Sequence, residues 1–316
     1  MMGYYQIHGR NGASFFLSLN SFSDWRRSLE FYRGVSAAAK CKKALLTAAY
    51  PLFRFRGNFN GSEFEYGKLD ASDSAMISPT RDKVIIHHHG RGYEKIAFGK
   101  SLPGVRGELE VYRRLNENPP ESFAVSRVEE LKSSPEQCRF FMNYAGGVFS
   151  ENVPGIEDLL LPLKEFFRLG PGGKRTWKSL WETLPDDLRK LVPADDHEGE
   201  TEAGLVHRDF KPWNVKAGAK PLFFDFEAAS LDGCPLEDFF NYTVDSMLRL
   251  KTPEYVSARI RDLFSMAEKL LKMQNISGDV RRYCRWFLLE RTAFWRGQGQ
   301  PQLSAKFKEL FLLTER

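Results

Sequence analysis

The sequence feature that most constrains the fold is a polar loop between two apolar runs, Leu205-Val206 and Leu222-Phe223-Phe224. Apolar runs this short, bounded by polar turn residues, are typical of buried strands. The loop contains Asp209 and, five residues later, Asn214, and Asp225 directly follows the second run. The pattern therefore predicts two carboxylates and one carboxamide close to the ends of short strands.

These oxygen ligands suit the chemistry of ATP-dependent phosphoryl transfer. A carboxylate at Asp209 can orient an acceptor hydroxyl and take its proton. The oxygens of Asn214 and Asp225 are hard ligands of the kind that Mg²⁺ binds, and Glu227 is a further candidate, either as a metal ligand or as a support for one. Each residue alone has a structural alternative: a loop Asp paired with Lys211, a turn Asn, or an Asp that caps the following helix.

Two further polar residues flank the candidate catalytic carboxylate. Lys211 lies two residues beyond Asp209, where its ammonium can offset the charge that grows on a transferring phosphate. The alternative is a solvated lysine or a salt bridge. His207 lies at the edge of the apolar run, where its ring can hydrogen-bond the backbone that shapes the loop. We predict catalytic roles for Asp209 and Lys211 and a scaffold role for His207.

The order of these residues resembles that of a known group of enzymes. A His-x-Asp-x-x-x-x-Asn motif begins at His207, and Asp-Phe-Glu follows at Asp225. Together they resemble the aminoglycoside phosphotransferase and choline kinase group of the protein-kinase-like superfamily, in the Asp-Phe-x-Pro-Trp-Asn form of many bacterial small-molecule kinases. Arg208 departs from the Gly that these kinases often have, and with Lys211 it makes the loop similar to that of protein kinases.

The resemblance implies an α+β, two-lobed, protein-kinase-like fold. Its small N-terminal lobe is an antiparallel β-sheet with one helix, and its larger C-terminal lobe is mostly helical. We predict an N-terminal helical extension and linker in residues 1–73, a nucleotide-binding lobe in residues 74–147, and the catalytic and acceptor-binding lobe in residues 148–316. Residues 145–147, Ala-Gly-Gly, are the predicted hinge.

Hydrophobic periodicity supports the middle segment of this division. Three β-rich runs between residues 75 and 98 precede a helix from Leu102 to Asn116, and two more strands follow at residues 123–131 and 139–144. One face of the helix carries Val105, Leu109, Tyr112 and Leu115.

The resemblance also implies residues that bind the nucleotide in the first lobe. A strand lysine, Lys95, is expected to hold the α- and β-phosphates of ATP, and a helix glutamate, Glu108, to hold that lysine. The rivals are Lys100, which follows a glycine, and Glu110, which faces another side of the helix. A phosphate-covering loop is expected between the first two strands, where Ser78, Thr80 and Arg81 are the candidate ligands; a plain hairpin turn is the alternative.

Composition and charge limit the partners. The net charge is +5, and residues 241–316 hold 14 lysines and arginines against 8 acids. This excess indicates either solvated helix faces or a preference for an anionic acceptor or an anionic membrane surface, and it is too mild to indicate nucleic acid. No apolar run is long enough to predict a transmembrane helix. Four scattered cysteines indicate reduced thiols and a cytoplasmic protein.

Three other features can be interpreted as structural or as functional. Three adjacent histidines, residues 87–89, predict a surface strand rather than a zinc site, because only the first and third share a face. Asp238 resembles the family residue that ties the following helix to the catalytic loop. The arginine-rich helix from Val280 to Trp295 lies where family members bind acceptors, or is simply a half-buried basic helix.

The sequence thus predicts a kinase that requires ATP and Mg²⁺ and phosphorylates a hydroxyl of a small molecule or sugar, including sugars linked to lipid or polysaccharide. Two alternatives remain open. The first is a protein Ser/Thr kinase, suggested by Arg208 and Lys211, although no Ala-Pro-Glu motif follows and Pro235 opens the next helix early. The second is a non-catalytic pseudokinase, which the intact acidic and amide residues oppose.

Overall fold

The structure is a computed structural model that describes residues 3–8, 12–29, 37–78, 82–146, 148–150 and 152–315. The chain divides into two compact units. The N-terminal unit comprises Met1–Glu117 and Val125–Gly147, and the C-terminal unit comprises Asn118–Ala124 and Val148–Arg316. Gly147 of the predicted hinge lies outside the described residues, so its role stays a prediction.

An eight-stranded antiparallel sheet dominates the N-terminal unit, in the spatial order β3-β1-β2-β4-β5-β6-β8-β7. Its strands are β1 (Gly3–His8), β2 (Ser14–Ser18), β3 (Phe59–Asn60), β4 (Ser74–Ser78), β5 (Lys83–His88), β6 (Gly92–Phe98), β7 (Val128–Ser133) and β8 (Gln137–Asn143). Its helices are α1 (Phe22–Ser28), α2 (Ala37–Ala48), α3 (Tyr50–Phe53) and α4 (Leu102–Glu117).

The elements predicted for the middle segment are present. Strands β4 to β8 and helix α4 occur in the expected order. The four apolar residues predicted to share one face of α4 are all buried: Val105, Leu109, Tyr112 and Leu115. The helix contacts β6, β7 and β8, so its apolar face covers this half of the sheet.

The prediction of an N-terminal helical extension was wrong in one respect, because residues 1–73 also supply three strands. Phe16 and Leu17 are neighbours on β2, yet they belong to different hydrophobic clusters and so face opposite sides of the sheet. Helix α1 begins at a Ser21 cap and contributes Trp25 to the cluster that contains Leu17. Because both faces of β2 are covered, the strand lacks the polar alternation by which strands are recognised.

Helices make up most of the C-terminal unit: α5 (Ile156–Arg168), α6 (Trp177–Thr183), α7 (Asp186–Arg189), α8 (Glu237–Phe240), α9 (Ser246–Leu250), α10 (Pro253–Gln274), α11 (Val280–Gly297) and α12 (Pro301–Thr314). A π-helical turn, Asn241–Asp245, joins α8 to α9. Pro185 separates α6 from α7, because proline interrupts the hydrogen bonding of a continuous helix.

Three small antiparallel pairs complete this unit. Their strands are β9 (Lys174–Thr176) with β10 (Glu200–Glu202), β11 (Gly204–Val206) with β14 (Ser230–Gly233), and β12 (Val215–Lys216) with β13 (Leu222–Phe223). The predicted α+β class, with an antiparallel sheet first and a mostly helical part second, is confirmed, and the sheet is larger than expected.

Within the described residues, none of the helices combines the length and the apolar character needed to cross a bilayer. All four cysteines are free thiols, as the sequence predicted.

Candidate active site

The polar loop that follows β11 is fixed at its start by a buried carboxylate. Asp238, at the beginning of α8, accepts hydrogen bonds from the backbone N–H groups of His207 (2.7 Å) and Arg208 (2.9 Å). Burial raises the pKa of Asp238 to about 6, although His207 opposes the shift. The link between this helix and the loop that the resemblance implied for Asp238 is present.

His207 has the scaffold role that the sequence predicted. Its ring is fully buried, and Nε2–H donates to the carbonyl oxygen of Phe224 at 2.9 Å. Phe224 directly precedes Asp225, so one imidazole connects the backbone before Asp209 to the backbone before Asp225. No proton-transfer role is needed to explain its position.

Buried aromatic rings pack against the loop on its core side. Phe210 is fully buried and its ring lies 4.7 Å from that of Phe223, which stacks on Phe123 at 4.6 Å. Phe226 contacts the rings of Phe166 and His207. Because the apolar side chains of this segment point into the core, the intervening Asp209 is directed outward, and 39% of its side chain is exposed.

The carboxylate of Asp209 is held on two sides. Oδ1 accepts a short hydrogen bond from the ammonium of Lys211, and Oδ2 accepts one from the amide nitrogen of Asn214 at 3.1 Å. The same amide nitrogen donates to the carbonyl oxygen of Asp209 at 2.9 Å. These bonds fix the direction of the carboxylate and use only the nitrogen of the Asn214 amide, not its oxygen.

The candidate metal ligands are brought together by a short hairpin. Val215 of β12 pairs with Phe223 of β13, and the N–H of Phe224 donates to the carbonyl oxygen of Asn214. Asn214 and Asp225 therefore lie at the same end of the hairpin. Carboxylate oxygens of Asp225 and Glu227 lie within 4.8 Å of one another.

Asp225 adopts a left-handed backbone conformation, with φ 69° and ψ 59°. This region is uncommon for residues with a side chain, and such strain often accompanies function. Carboxylate and carboxamide oxygens form the hard donor set that Mg²⁺ binds. The residues present at this end of the hairpin thus fit a magnesium ion.

A cluster that the sequence did not predict lies behind Asp209: Lys211, Trp213, Asp245, Arg249 and Trp295, which we call the lysine–tryptophan cluster. Lys211 is fully buried, and its ammonium lies 3.5 Å from a carboxylate oxygen of Asp245. Asp245 is also fully buried and accepts a hydrogen bond from Nε of Arg249 at 2.7 Å.

Both cations of the lysine–tryptophan cluster lie close to both indole rings. Arg249 lies 4.6 Å from the ring centroid of Trp295 and 5.6 Å from that of Trp213, and the corresponding distances for Lys211 are 5.6 and 5.9 Å. Burial lowers the pKa of Lys211, although Asp245 and Asp209 oppose the shift. The structural alternatives to a catalytic role for this lysine were a solvated side chain and a salt bridge, and of these two the structure has the salt bridge.

The only local signal for the lysine–tryptophan cluster was the spacing of Asp245 and Arg249, which suits an i, i+4 ion pair on a helix. Asp245 lies in the π-helical turn, an irregularity often found at functional sites. Trp295 comes from α11, more than 80 residues after Lys211, so no local pattern could place it here.

Arg208 points away from these residues and into an ion-pair network. Its guanidinium binds Glu237 at 2.9 Å and makes a short bond to Glu290, and Arg291 donates to both Glu237 and the carbonyl oxygen of Arg208. Burial and the neighbouring Glu237 raise the pKa of Glu290. The side chain that made the loop similar to a protein kinase loop is thus used to tie the loop to α8 and α11.

In the N-terminal unit, the predicted pairing of Lys95 with Glu108 is present. The ammonium of Lys95 on β6 lies 2.6 Å from a carboxylate oxygen of Glu108 on α4, and both side chains are almost completely buried. The rival residues, Lys100 and Glu110, are exposed. The pairing is shown by the geometry, whereas the nucleotide-binding role stays a prediction.

The candidate phosphate-covering loop is only partly described. Ser78 is buried at the end of β4, where it pairs with Lys83, while Thr80 and Arg81 lie outside the described residues. Asp82 follows them and accepts a hydrogen bond from the N–H of Lys100 at 2.8 Å.

The prediction of a surface strand at the three histidines was wrong. His87 and His88 are buried because β5 lies inside the sheet between β4 and β6. His87 stacks on Tyr93, and His88 binds the carboxylates of Asp73 and Glu94 at 3.0 Å each. No group of potential metal ligands in the described part of the chain includes these histidines.

Most arginines predicted on α11 have partners within the C-terminal unit. Arg282 donates to the carbonyl oxygens of Asp196 and Glu198, Arg285 binds Asp196, and Arg291 binds Glu237. These contacts favour a structural role for the basic side of this helix.

Comparison with known proteins gives matches among solved structures. No protein-family model matches the chain, and its sequence matches no curated protein. Among solved structures, the gentamicin complex of APH(2'')-IIa has 16% identity and a TM-score of 0.38, and the match covers 73% of this chain and 88% of that one.

ADP-bound aminoglycoside phosphotransferase APH(2'')-Ib has 15% identity and a TM-score of 0.38, with 75% and 91% of the two chains covered. Both neighbours are aminoglycoside phosphotransferases, the group that the loop motif resembles. At these TM-scores the similarity alone carries no conclusion about the reaction.

Proposed function

We propose that this protein is an ATP-dependent phosphotransferase that moves the γ-phosphate of ATP to a hydroxyl of a small molecule or sugar. The observation that carries this proposal is the outward-facing Asp209 carboxylate, held by Lys211 and by the amide of Asn214. A carboxylate fixed in this way, next to an oxygen-rich hairpin end, is what phosphoryl transfer to an alcohol requires.

In the proposed mechanism Asp209 accepts a hydrogen bond from the acceptor hydroxyl and aligns its oxygen with the γ-phosphorus. The O–P bond forms as the bond between the γ-phosphorus and the β,γ-bridging oxygen breaks, and ADP leaves with that oxygen. The hydroxyl proton passes to Asp209. Lys211 keeps Asp209 in its orientation and contributes positive charge beside the reacting groups.

The remaining roles follow from the donor sets of the two units. Asn214 and Asp225, with Glu227 in support, are proposed to hold Mg²⁺, which neutralises phosphate charge when bound. Lys95, positioned by Glu108, is proposed to bind the nucleotide phosphates. Ser78, Thr80 and Arg81 stay the candidates for the phosphate-covering loop.

Two observations favour a small acceptor over a protein substrate. The guanidinium of Arg208 already pairs with Glu237 and Glu290, so it is engaged within the protein. Between Asp225 and the start of α8 at Glu237, the chain forms a 3₁₀ turn and strand β14, which leaves little length for a peptide-binding segment.

Asp209→Asn tests the proposal. Removing the proton acceptor while keeping the shape should lower kcat for ADP formation by about 10³-fold. The Mg²⁺-ATP-dependent rise in Tm should persist, because binding does not need this carboxylate. Asp186→Asn is the matched control, since that acid on α7 is exposed. Near-normal turnover by purified Asp209→Asn protein would contradict the assignment.

A further inference from the structure

The guanidinium of Arg249 is positioned but not fully used by the protein. Its Nε donates to Asp245, and its Cζ lies over the indole ring of Trp295 at 4.6 Å from the centroid. Among the residues that the structure describes, its terminal amino groups make no hydrogen bond or ion pair, and 29% of its side chain is exposed. Arg249 therefore presents a fork of N–H donors that is already oriented.

The indole N–H of Trp295 adds another donor to the lysine–tryptophan cluster. It is buried and makes no hydrogen bond within the described part of the chain. An indole and a guanidinium can donate hydrogen bonds but cannot accept them. A ligand that satisfies these groups must therefore bring acceptor oxygens, and a planar guanidinium binds carboxylate and phosphate groups best.

These donors are linked to the proposed catalytic carboxylate through three ion pairs. Lys211 binds Asp209 and also Asp245, and Asp245 binds Arg249. Arg249 is thus connected to Asp209 through Lys211 and Asp245. A polyamine such as an aminoglycoside would instead need exposed acceptors here, because its ammonium groups are donors.

We propose that Arg249, placed over the ring of Trp295 and held by Asp245, binds a phosphate or carboxylate group of the acceptor. The acceptor is then an anionic alcohol, such as a phosphorylated sugar or a sugar acid. This inference rests on the proposed phosphotransferase function and narrows its substrate class.

Matched acceptors test the charge requirement. ADP formation from Mg²⁺-ATP is measured with glucose, glucose 6-phosphate and glucuronate, with glycerol, glycerol 3-phosphate and glycerate, and with gentamicin as the cationic compound. We expect at least one anionic member to have a kcat/KM about tenfold or more above that of its neutral partner. Comparison of the phosphorylated with the carboxylated acceptors shows which of the two anionic groups is bound.

Substitution of Arg249 tests the residue. Arg249→Gln and Arg249→Lys should raise KM for the anionic acceptor by about 10–100-fold, the cost of a lost charge-assisted fork. KM for ATP should change less than twofold. Arg259→Gln is the matched control, because Arg259 is exposed and also stacks on an aromatic ring, that of Tyr255 at 3.6 Å.

Several outcomes would overturn the inference. Among them are faster turnover of neutral or cationic acceptors, an equal rise in KM for ATP, and wild-type KM values in both Arg249 variants. The inference would also be overturned if every anionic compound gave no turnover and no saturable quenching of tryptophan fluorescence. If Asp209-dependent ADP formation occurs with neutral acceptors, only this inference fails; if ADP formation is independent of Asp209, the underlying assignment fails.

Discussion

Lys211 is the residue on which the arrangement of the candidate site depends most. It is buried, and it is shared between an exposed carboxylate, Asp209, and a buried one, Asp245. A buried ion pair contributes little net stability, but removing one partner leaves an uncompensated charge. The pairing therefore serves to position Asp209 rather than to stabilise the fold.

A double-mutant cycle at Lys211 and Asp245 separates these roles. Lys211→Met should lower the free energy of unfolding by about 3 kcal/mol, because it leaves Asp245 less compensated. Adding Asp245→Asn should restore most of that stability, since the buried charge is gone. ADP formation should stay low in the single and the double variant, because neither has the Lys211 ammonium that fixes the Asp209 carboxylate. Urea unfolding and kcat are measured for all four proteins, and full recovery of kcat in the double variant would show that Lys211 acts only on stability.

His88 gives the N-terminal unit a pH-dependent contribution to stability. Burial alone would lower its pKa, but hydrogen bonds to Asp73 and Glu94 raise it to about 9, and the pKa values of both acids are lowered. The raised folded-state pKa means that the contribution is complete below about pH 6.5, the unfolded value, and is lost as pH rises through 9.

His88→Gln should therefore cost up to about 3 kcal/mol of unfolding free energy at pH 6 and much less at pH 9.5. The measurement is urea unfolding of both proteins at the two pH values. His8→Gln is the control, because His8 is exposed on β1. An equal cost at both pH values would show that the ring contributes by packing and not by its charge.

At the residue level, the sequence identified what is local and missed what is distant. Asp209 and Asn214 are five residues apart, and the structure joins them by direct hydrogen bonds. Glu108 lies thirteen residues beyond Lys95, within reach of a strand-to-helix prediction. Trp295 approaches Lys211 from a helix far along the chain, and only tertiary packing brings it there.

Among the elements, the turn at Arg208 shows how a departure from a motif can be used structurally. Its φ of 62° is a value that glycine adopts easily and other residues adopt at a cost. The guanidinium offsets this cost by joining the loop to Glu237 of α8 and Glu290 of α11. The Asp238 contacts to the loop use backbone groups and do not depend on this side chain.

Arg208→Gly should relieve the backbone but leave Glu290 without its ion-pair partner and Glu237 with Arg291 alone. We expect a net loss of roughly 2 kcal/mol in unfolding free energy, and recovery of part of it when Glu290→Gln is added. Because Asp238 still holds the loop, kcat should fall less than tenfold. Thermal unfolding and steady-state kinetics are the measurements. A loss of activity as large as that of Asp209→Asn would mean that Arg208 acts in the reaction itself.

For the whole chain, the predictable elements were the helices and strands that bury one face and expose the other. Helix α4 has one apolar face, and its buried residues were named from periodicity. Strand β2 is covered on both faces, so its five residues carry no alternation that distinguishes a strand from a hydrophobic loop. The missed strands β1, β2 and β3 form one continuous side of the sheet.

The N-terminal 73 residues should therefore be indispensable to the N-terminal unit rather than an added extension. Removing them would expose the edge of β4 and delete Tyr4, Phe16, Phe64 and Leu69 from a hydrophobic cluster that includes Val84 and Ile96. We expect protein 74–316 to aggregate or to lack the Mg²⁺-ATP-dependent rise in Tm.

A point substitution in the full chain tests the same idea without truncation. Phe16→Ala should lower the free energy of unfolding by about 3–4 kcal/mol, the cost of a large cavity in the core. Phe55→Ala is the matched control, because the same side chain is exposed there and should cost little. Both proteins are compared by urea unfolding and by the Tm shift with Mg²⁺-ATP. If 74–316 is a monomer with a wild-type Tm shift, or if the two alanine variants are equally stable, the first 73 residues are not part of the core that supports nucleotide binding.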